Sequence, residues 1–153
     1  MRKIIMSLVA SLVVASPALA NEARIEARGG IFWVPGSSKG TAGVAAGYDM
    51  DVSPSVFVGG EVSADKVLTS GTRVAFGFSG RAGVKVADKM KFFAVGGYTT
   101  KPCQFCDGSA HIGAGGEYSL AKNVYAKLEY RRYFGRNGFS DANAVVTGLG
   151  VRF

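Results

Sequence analysis

Metal and redox chemistry have little to work with in this chain. Its 153 residues include 1 histidine and 2 cysteines, and two thiols plus one imidazole leave a four-ligand zinc shell incomplete. Charge of one sign is not concentrated either: the formal excess is +7, and no nucleic-acid partner is expected from it. Beyond residue 20 no stretch offers the ~18 consecutive apolar residues that a transmembrane helix needs. Glycine is abundant, at 22 residues, but has no three-residue period, which excludes collagen. At about 1 kcal/mol per helix-interior position it also disfavours long helices. The 48% hydrophobic content excludes a disordered chain, and the length suits one domain.

Residues 1–20, MRKIIMSLVASLVVASPALA, have the layout of an export signal. Arg2 and Lys3 precede an apolar stretch from Ile4 to Val14. Pro17 breaks it, and Ala18 and Ala20 put small residues where a signal peptidase cuts. Cleavage is expected before Asn21. The chain then divides into a signal peptide, 1–20, and one exported domain, 21–153, whose formal charge falls to +5 with the loss of Arg2 and Lys3.

The exported part alternates with period two, which places successive side chains on opposite faces of a strand. Eight such runs are readable: 23–34, 41–48, 55–64, 73–86, 90–99, 109–118, 124–134 and 144–153. One face collects Val, Ile, Leu, Ala and aromatics, as in Ile25/Ala27/Ile31 and Leu128/Tyr130. The other collects Gly, Ser and charge, as in Gly77/Ser79/Arg81. Most runs approach the ~9–11 residues of a tilted membrane strand rather than the five or six usual in a soluble sheet. The expected fold is all-β: an eight-stranded antiparallel up-and-down transmembrane barrel, apolar outside and polar within. Links after the second, fourth and sixth runs are tight (49–54, 87–89, 119–123). Those after the third, fifth and seventh are longer (65–72, 100–108, 135–143), whereas the first, 35–40, is brief. Short turns at the end that holds both termini and long loops at the other suit an outer-membrane barrel. Tyr48, Phe92, Tyr118 and Phe153 then ring one end, and Trp33, Phe76, Tyr98 and Phe134 the other, as two aromatic girdles.

The segment Val124-Tyr125-Ala126-Lys127-Leu128-Glu129-Tyr130-Arg131-Arg132-Tyr133 resembles the penultimate strand of opacity-type, OmpA-like small outer-membrane barrels. The ending Gly148-Leu149-Gly150-Val151-Arg152-Phe153 resembles the C-terminal signal of outer-membrane proteins. There, Phe153, Val151 and Leu149 would be read by the barrel-assembly machinery, with Val145 and the weaker Thr147 completing the pattern. That resemblance implies a bacterial outer-membrane location. It supplies no activity, because such barrels include porins, adhesins and anchors.

Ten charged residues are expected in the lumen: Glu26, Arg28, Glu61, Arg81, Lys85, Glu117, Lys127, Glu129, Arg131 and Arg152. Four acids against six bases allow either a salt-bridged plug or a wet pore with weak anion preference. Inward glycines such as Gly47, Gly77 and Gly150 either make room for bulky neighbours or leave water gaps. Cys103-Gln104-Phe105-Cys106, in an exported loop, suggests a disulfide ahead of a metal or redox site. Ser109 and His111 share a face and could seed a hydrolase, but that face points inward, away from lipid, with only Glu117 as a distant carboxylate. Arg132 is expected outward near lipopolysaccharide phosphates unless a bulge turns it, and Lys101 and Arg136 are basic loop residues. Gly36-Ser37-Ser38-Lys39-Gly40 lacks Walker spacing and reads as a turn. The expected function is a structural envelope or surface-interaction barrel, with no enzymatic role and no cofactor. It would be monomeric, with outer-membrane lipid and lipopolysaccharide as its surroundings. The alternatives are a small-solute porin, a soluble lipocalin-like binding barrel and an outer-membrane lipid hydrolase.

Overall fold

A computed structural model describes residues 21–135, 138 and 140–153. The signal segment, with its cleavage residues Ala18 and Ala20, lies outside the described residues, as does Arg136. The elements in chain order are β1 (Glu22–Val34), β2 (Ser37–Ser53), β3 (Val56–Val67), β4 (Val74–Ala87), β5 (Met90–Thr99), β6 (Ser109–Ser119), β7 (Val124–Tyr133) and β8 (Ala142–Arg152). Each strand pairs antiparallel with the next, and β1 pairs antiparallel with β8, so the sheet closes into an eight-stranded barrel. This is the architecture expected from the period-two runs.

The connections sort by end. Pro54-Ser55, Asp88-Lys89 and residues 120–123 turn the chain at the end that holds Glu22 and Arg152. The opposite end carries residues 68–73, 100–108 and 134–141, and the two-residue turn Pro35-Gly36. Proline followed by a glycine at φ +79° is the residue order a type II turn requires.

Two strands run well past their expected bounds. β2 begins at Ser37 and runs to Ser53, so Asp49 and Asp51 belong to a strand instead of a turn. β3 extends to Val67, which takes Asp65 out of the loop. Aspartate is ordinarily a turn residue because its side chain competes for local backbone groups. Here each Asp falls in register on an inward position, where a cation holds it.

Burial alternates along every strand and inverts the arrangement of a soluble protein. Phe76 is 53% exposed, Leu128 60% and Val151 40%, whereas Arg81 is 4% exposed and Glu129 1%. The apolar strips therefore face out and the charges face in. Of the girdle residues, Tyr48, Phe92, Tyr118 and Phe153 are exposed at the termini end. Phe76, Tyr98 and Phe134 are exposed at the loop end, where Trp33 is half-buried against Tyr130 at 6.4 Å between ring centroids.

Candidate functional site

The lumen is the chemically richest part of the molecule, and alternation builds it: each strand aims every second side chain at the axis. At the termini end, Glu22 accepts from Lys91 at 2.8 Å and pairs with Arg152 at 3.4 Å, while Lys85 meets Asp51. One layer deeper, Asp49 grips Arg81 through both carboxylate oxygens, and Arg81 also reaches Glu117 at 2.5 Å. Glu26 holds Lys127 and accepts from the Tyr125 hydroxyl at 3.0 Å.

Glu61 is the hub. Its carboxylate lies 2.9 Å from Arg24, 2.9 Å from Arg28, 2.8 Å from Arg131 and 3.5 Å from Lys127. These cations come from β1 and β7, so one carboxylate on β3 ties together strands across the lumen. Arg131 also pairs with Glu129, and Arg28 forks onto Asp65, which accepts from Ser63 at 3.0 Å. Arg24 is within ion-pair range of Glu61, Asp49 and Glu26, so three carboxylates share its charge.

All ten charges expected inside are inside. The structure adds Glu22, Asp49, Asp51 and Asp65 to the acids and Arg24 and Lys91 to the bases. Eight acids then face eight bases, so the excess of two positive charges read from sequence is corrected to zero. Arg24 was legible by alternation, two residues before Glu26. Burial of this kind makes each ion dependent on its partners: an unpaired charge in a dry interior costs several kcal/mol.

Rings occupy the rest of the lower lumen. Phe57, Phe93 and Val95 form a buried cluster, and the Arg81 guanidinium lies 5.2 Å and 4.9 Å from the Phe57 and Phe93 ring centroids. Inward glycines make that room. A Cβ on Gly83 would come within 2.8 Å of both phenylalanines, one on Gly150 within 2.4 Å of the Tyr125 ring, and one on Gly47 within 2.6 Å of the Arg24 guanidinium. The choice left open by the sequence is settled at these three positions: bulky neighbours fill the space.

His111 is buried in the upper lumen, 2.9 Å from the Ser79 hydroxyl through Nε2 and 3.2 Å from Thr99 Oγ1 through Nδ1. Both ring nitrogens are thus engaged by hydroxyls from β4 and β5, and no hydrogen bond joins His111 to Ser109 or Glu117. Cys103 and Cys106 form a disulfide. Its loop is stitched to the β3–β4 loop, since the Arg73 amide donates to the Pro102 carbonyl at 2.8 Å and the Arg73 side chain donates to Gln104 at 3.2 Å. Arg132 does point outward, where it donates to Asp141 at 2.7 Å and lies 6.0 Å from the Phe134 ring. Asp141 also accepts from the Gly135 amide at 3.0 Å, and the Arg132 guanidinium holds its carboxyl below the ordinary value. Among the described residues no cluster of three or more His, Cys, Asp and Glu side chains is arranged to hold a metal ion.

Above the ion pairs the lumen changes character. A cavity of about 250 Å³ opens at the loop end, with Arg28, Asp65 and Tyr133 among the residues lining it, and Phe32, Val67, Ala142, Ala144 and Val146 on its walls. Pro102 and Cys106 stand at its rim.

No known family model and no curated protein matches the chain. Solved structures do. The chain is similar to the N-terminal β-barrel domain of Pseudomonas aeruginosa OprF, at 18% identity and TM-score 0.66, covering 89% of this chain and 100% of that one. It is similar to Ail, the attachment invasion locus protein of Yersinia pestis, at 12% identity and TM-score 0.59, over 87% and 98% of the two chains. It is also similar to the outer membrane enzyme PagL, at 10% identity and TM-score 0.59, over 84% and 98%. At such identities the likeness is one of fold.

Proposed function

We propose that this chain is an integral barrel protein of the bacterial outer membrane, of the small opacity-type or OmpA-like kind, with a structural or surface-interaction role. The observation that carries this reading is the inverted burial. Phe76, Phe78, Leu128 and Leu149 are each more than half exposed on one continuous outer face, while sixteen opposite charges pair off inside. In water such a surface far exceeds the apolar patch a soluble monomer tolerates. In a bilayer it is the expected exterior. The same inversion counts against a lipocalin-like soluble barrel, whose apolar side faces its ligand.

Lipid and lipopolysaccharide are the proposed surroundings of the outer strips, with the two rings of aromatics at the interfaces. Phe153, Val151 and Leu149, on the outward face of β8, would present the assembly signal after export by the leader. The proposed role is not enzymatic: His111 is engaged by Ser79 and Thr99 inside the barrel, away from any lipid substrate. A pore is disfavoured by ion pairs that meet across the lumen at Glu61. Membrane fractionation tests the reading. The protein should sediment with outer-membrane vesicles and remain there through carbonate and urea washes. Recovery in the soluble periplasmic or extracellular fraction would overturn it.

A further inference from the structure

The loop-end cavity plays no part in a purely structural barrel, and its walls differ from the lumen beneath. From Arg28 downward the interior is lined by paired charge; from Ala144 upward apolar side chains share the walls with hydroxyls such as Thr41, Thr99 and Ser109. Ala142, Ala144 and Val146 are buried on the inward face of β8, opposite Phe32 and Val67. Phe32 meets Tyr133 edge to face, with ring centroids 5.8 Å apart. A second hollow of about 350 Å³ shares Phe32, Val34, Val67, Pro102 and Cys106 with the first and adds the loop residues Ser70, Gly71, Thr72 and Cys103.

We propose that this cup binds a small, uncharged aromatic molecule, about two fused rings in size and bearing a hydroxyl group, taken up from the medium at the loop end. Three observations choose that chemistry. The first is charge. The Arg28 guanidinium is held by two carboxylates, Asp65 at Nε and Nη2 and Glu61 at Nη1, so its charge is already neutralised and an anion entering the cup meets those carboxylates. At the upper edge Asp107 is paired with Lys101 at 3.7 Å. The second is size. A dry cavity of ~150 Å³ holds benzene, so about 250 Å³ holds a fused pair of rings. The third is the Tyr133 hydroxyl, which has no hydrogen-bond partner among the described residues and stands beside the Phe32 ring, while Thr41, Thr99 and Ser109 add further hydroxyls to the lining. A hydroxyl without a partner beside an aromatic ring favours a ring ligand that itself carries a hydroxyl, because a polar group left unpaired on binding is costly.

The inference goes beyond the envelope role and does not depend on it, since the cup lies within one chain. The test uses full-length mature protein in lipid nanodiscs, with empty nanodiscs as the partition control and 1-naphthol as the probe, followed by equilibrium dialysis. Saturable binding above the empty-disc background is expected, at least tenfold tighter than for 1-naphthyl phosphate. Ala144→Phe, which fills the cup, should weaken 1-naphthol binding at least tenfold, and Tyr133→Phe about fivefold, each with an unchanged urea midpoint as proof of folding. If Ala144→Phe fails to fold, Val146→Phe replaces it. Absence of saturation in the wild-type protein overturns the proposal, as does full binding by a folded, cup-filled variant. Equal binding of the phosphate overturns the uncharged assignment. A barrel found to be soluble would be titrated in buffer, so failure of the envelope reading and failure of this one are read separately.

Discussion

Glu61 is the residue on which most of the lumen converges. Four cations share its carboxylate, and all of them are buried. Removing one partner from a buried network leaves charge uncompensated, at roughly 3–5 kcal/mol. Glu61→Gln is therefore expected to lower stability by about that amount, read as a fall in the urea midpoint of the refolded barrel; a shift within error would show that the cations redistribute onto Asp49, Glu26 and Glu129. The exposed pair at the loop end behaves differently. Asp141 has its carboxyl depressed, chiefly by the hydrogen bond from Arg132 and then by the Gly135 amide. A depressed acid contributes stability above its ordinary value of 3.8 and loses it as pH falls through the lowered one. The Gly135 amide should keep its protection at pH 5 and lose it only in stronger acid, while Asp141→Ala removes that protection at neutral pH, both measured by hydrogen exchange. At this scale the sequence was readable wherever alternation applied. Ten inward charges followed from it directly. Asp49 and Asp65 did not, because aspartate by itself carries a turn signal that only the strand register overrides.

Among the elements, β2 shows how that signal misleads. Ser37 to Ser53 form one strand although Gly40, Gly43 and Gly47 punctuate it. Gly47 is there because the Arg24 guanidinium packs against it, which is a packing reason invisible until β1 and β2 are registered. The longer connections, by contrast, fell where turn residues cluster. The β5–β6 connection is closed by the Cys103–Cys106 disulfide, with Phe105 at its tip 88% exposed. A bridge over so few residues stiffens only its own loop, at roughly 2 kcal/mol by the chain-entropy account. Cys103→Ser with Cys106→Ser should accordingly raise chymotrypsin cleavage after Phe105 several-fold and leave the urea midpoint of the barrel unchanged. A large loss of global stability would mean that the loop supports the barrel wall.

For the whole molecule, the balance of eight acids and eight bases, together with rings packed beneath them, describes a closed interior. Planar bilayers holding the wild-type protein should show no steady ohmic openings, and Glu61→Gln should add only brief, irregular ones. Stable conductance from the wild type would require the ion pairs to part in a membrane field and would favour the small-solute alternative. Global architecture was the most legible level, since eight period-two runs with a polar face and an apolar face admit few arrangements. What the sequence could not disclose was the division of the lumen into a charged lower part and an upper cup of mixed apolar and hydroxyl lining, which depends on how β1 and β8 are staggered.

That stagger brings the first strand and the last into contact: Ala27 sits opposite Leu149, and Arg24 opposite Arg152. Until β8 is in place, β1 and β7 are raw edges, and Glu26 has no Lys127 from a fixed β7 beside it. Completion is therefore a single event in which the hydrogen-bond ladder and the inner salt links engage together. A chain halted short of its last dozen residues would hold an open, sticky ribbon, prone to join its neighbour's edge for want of its own.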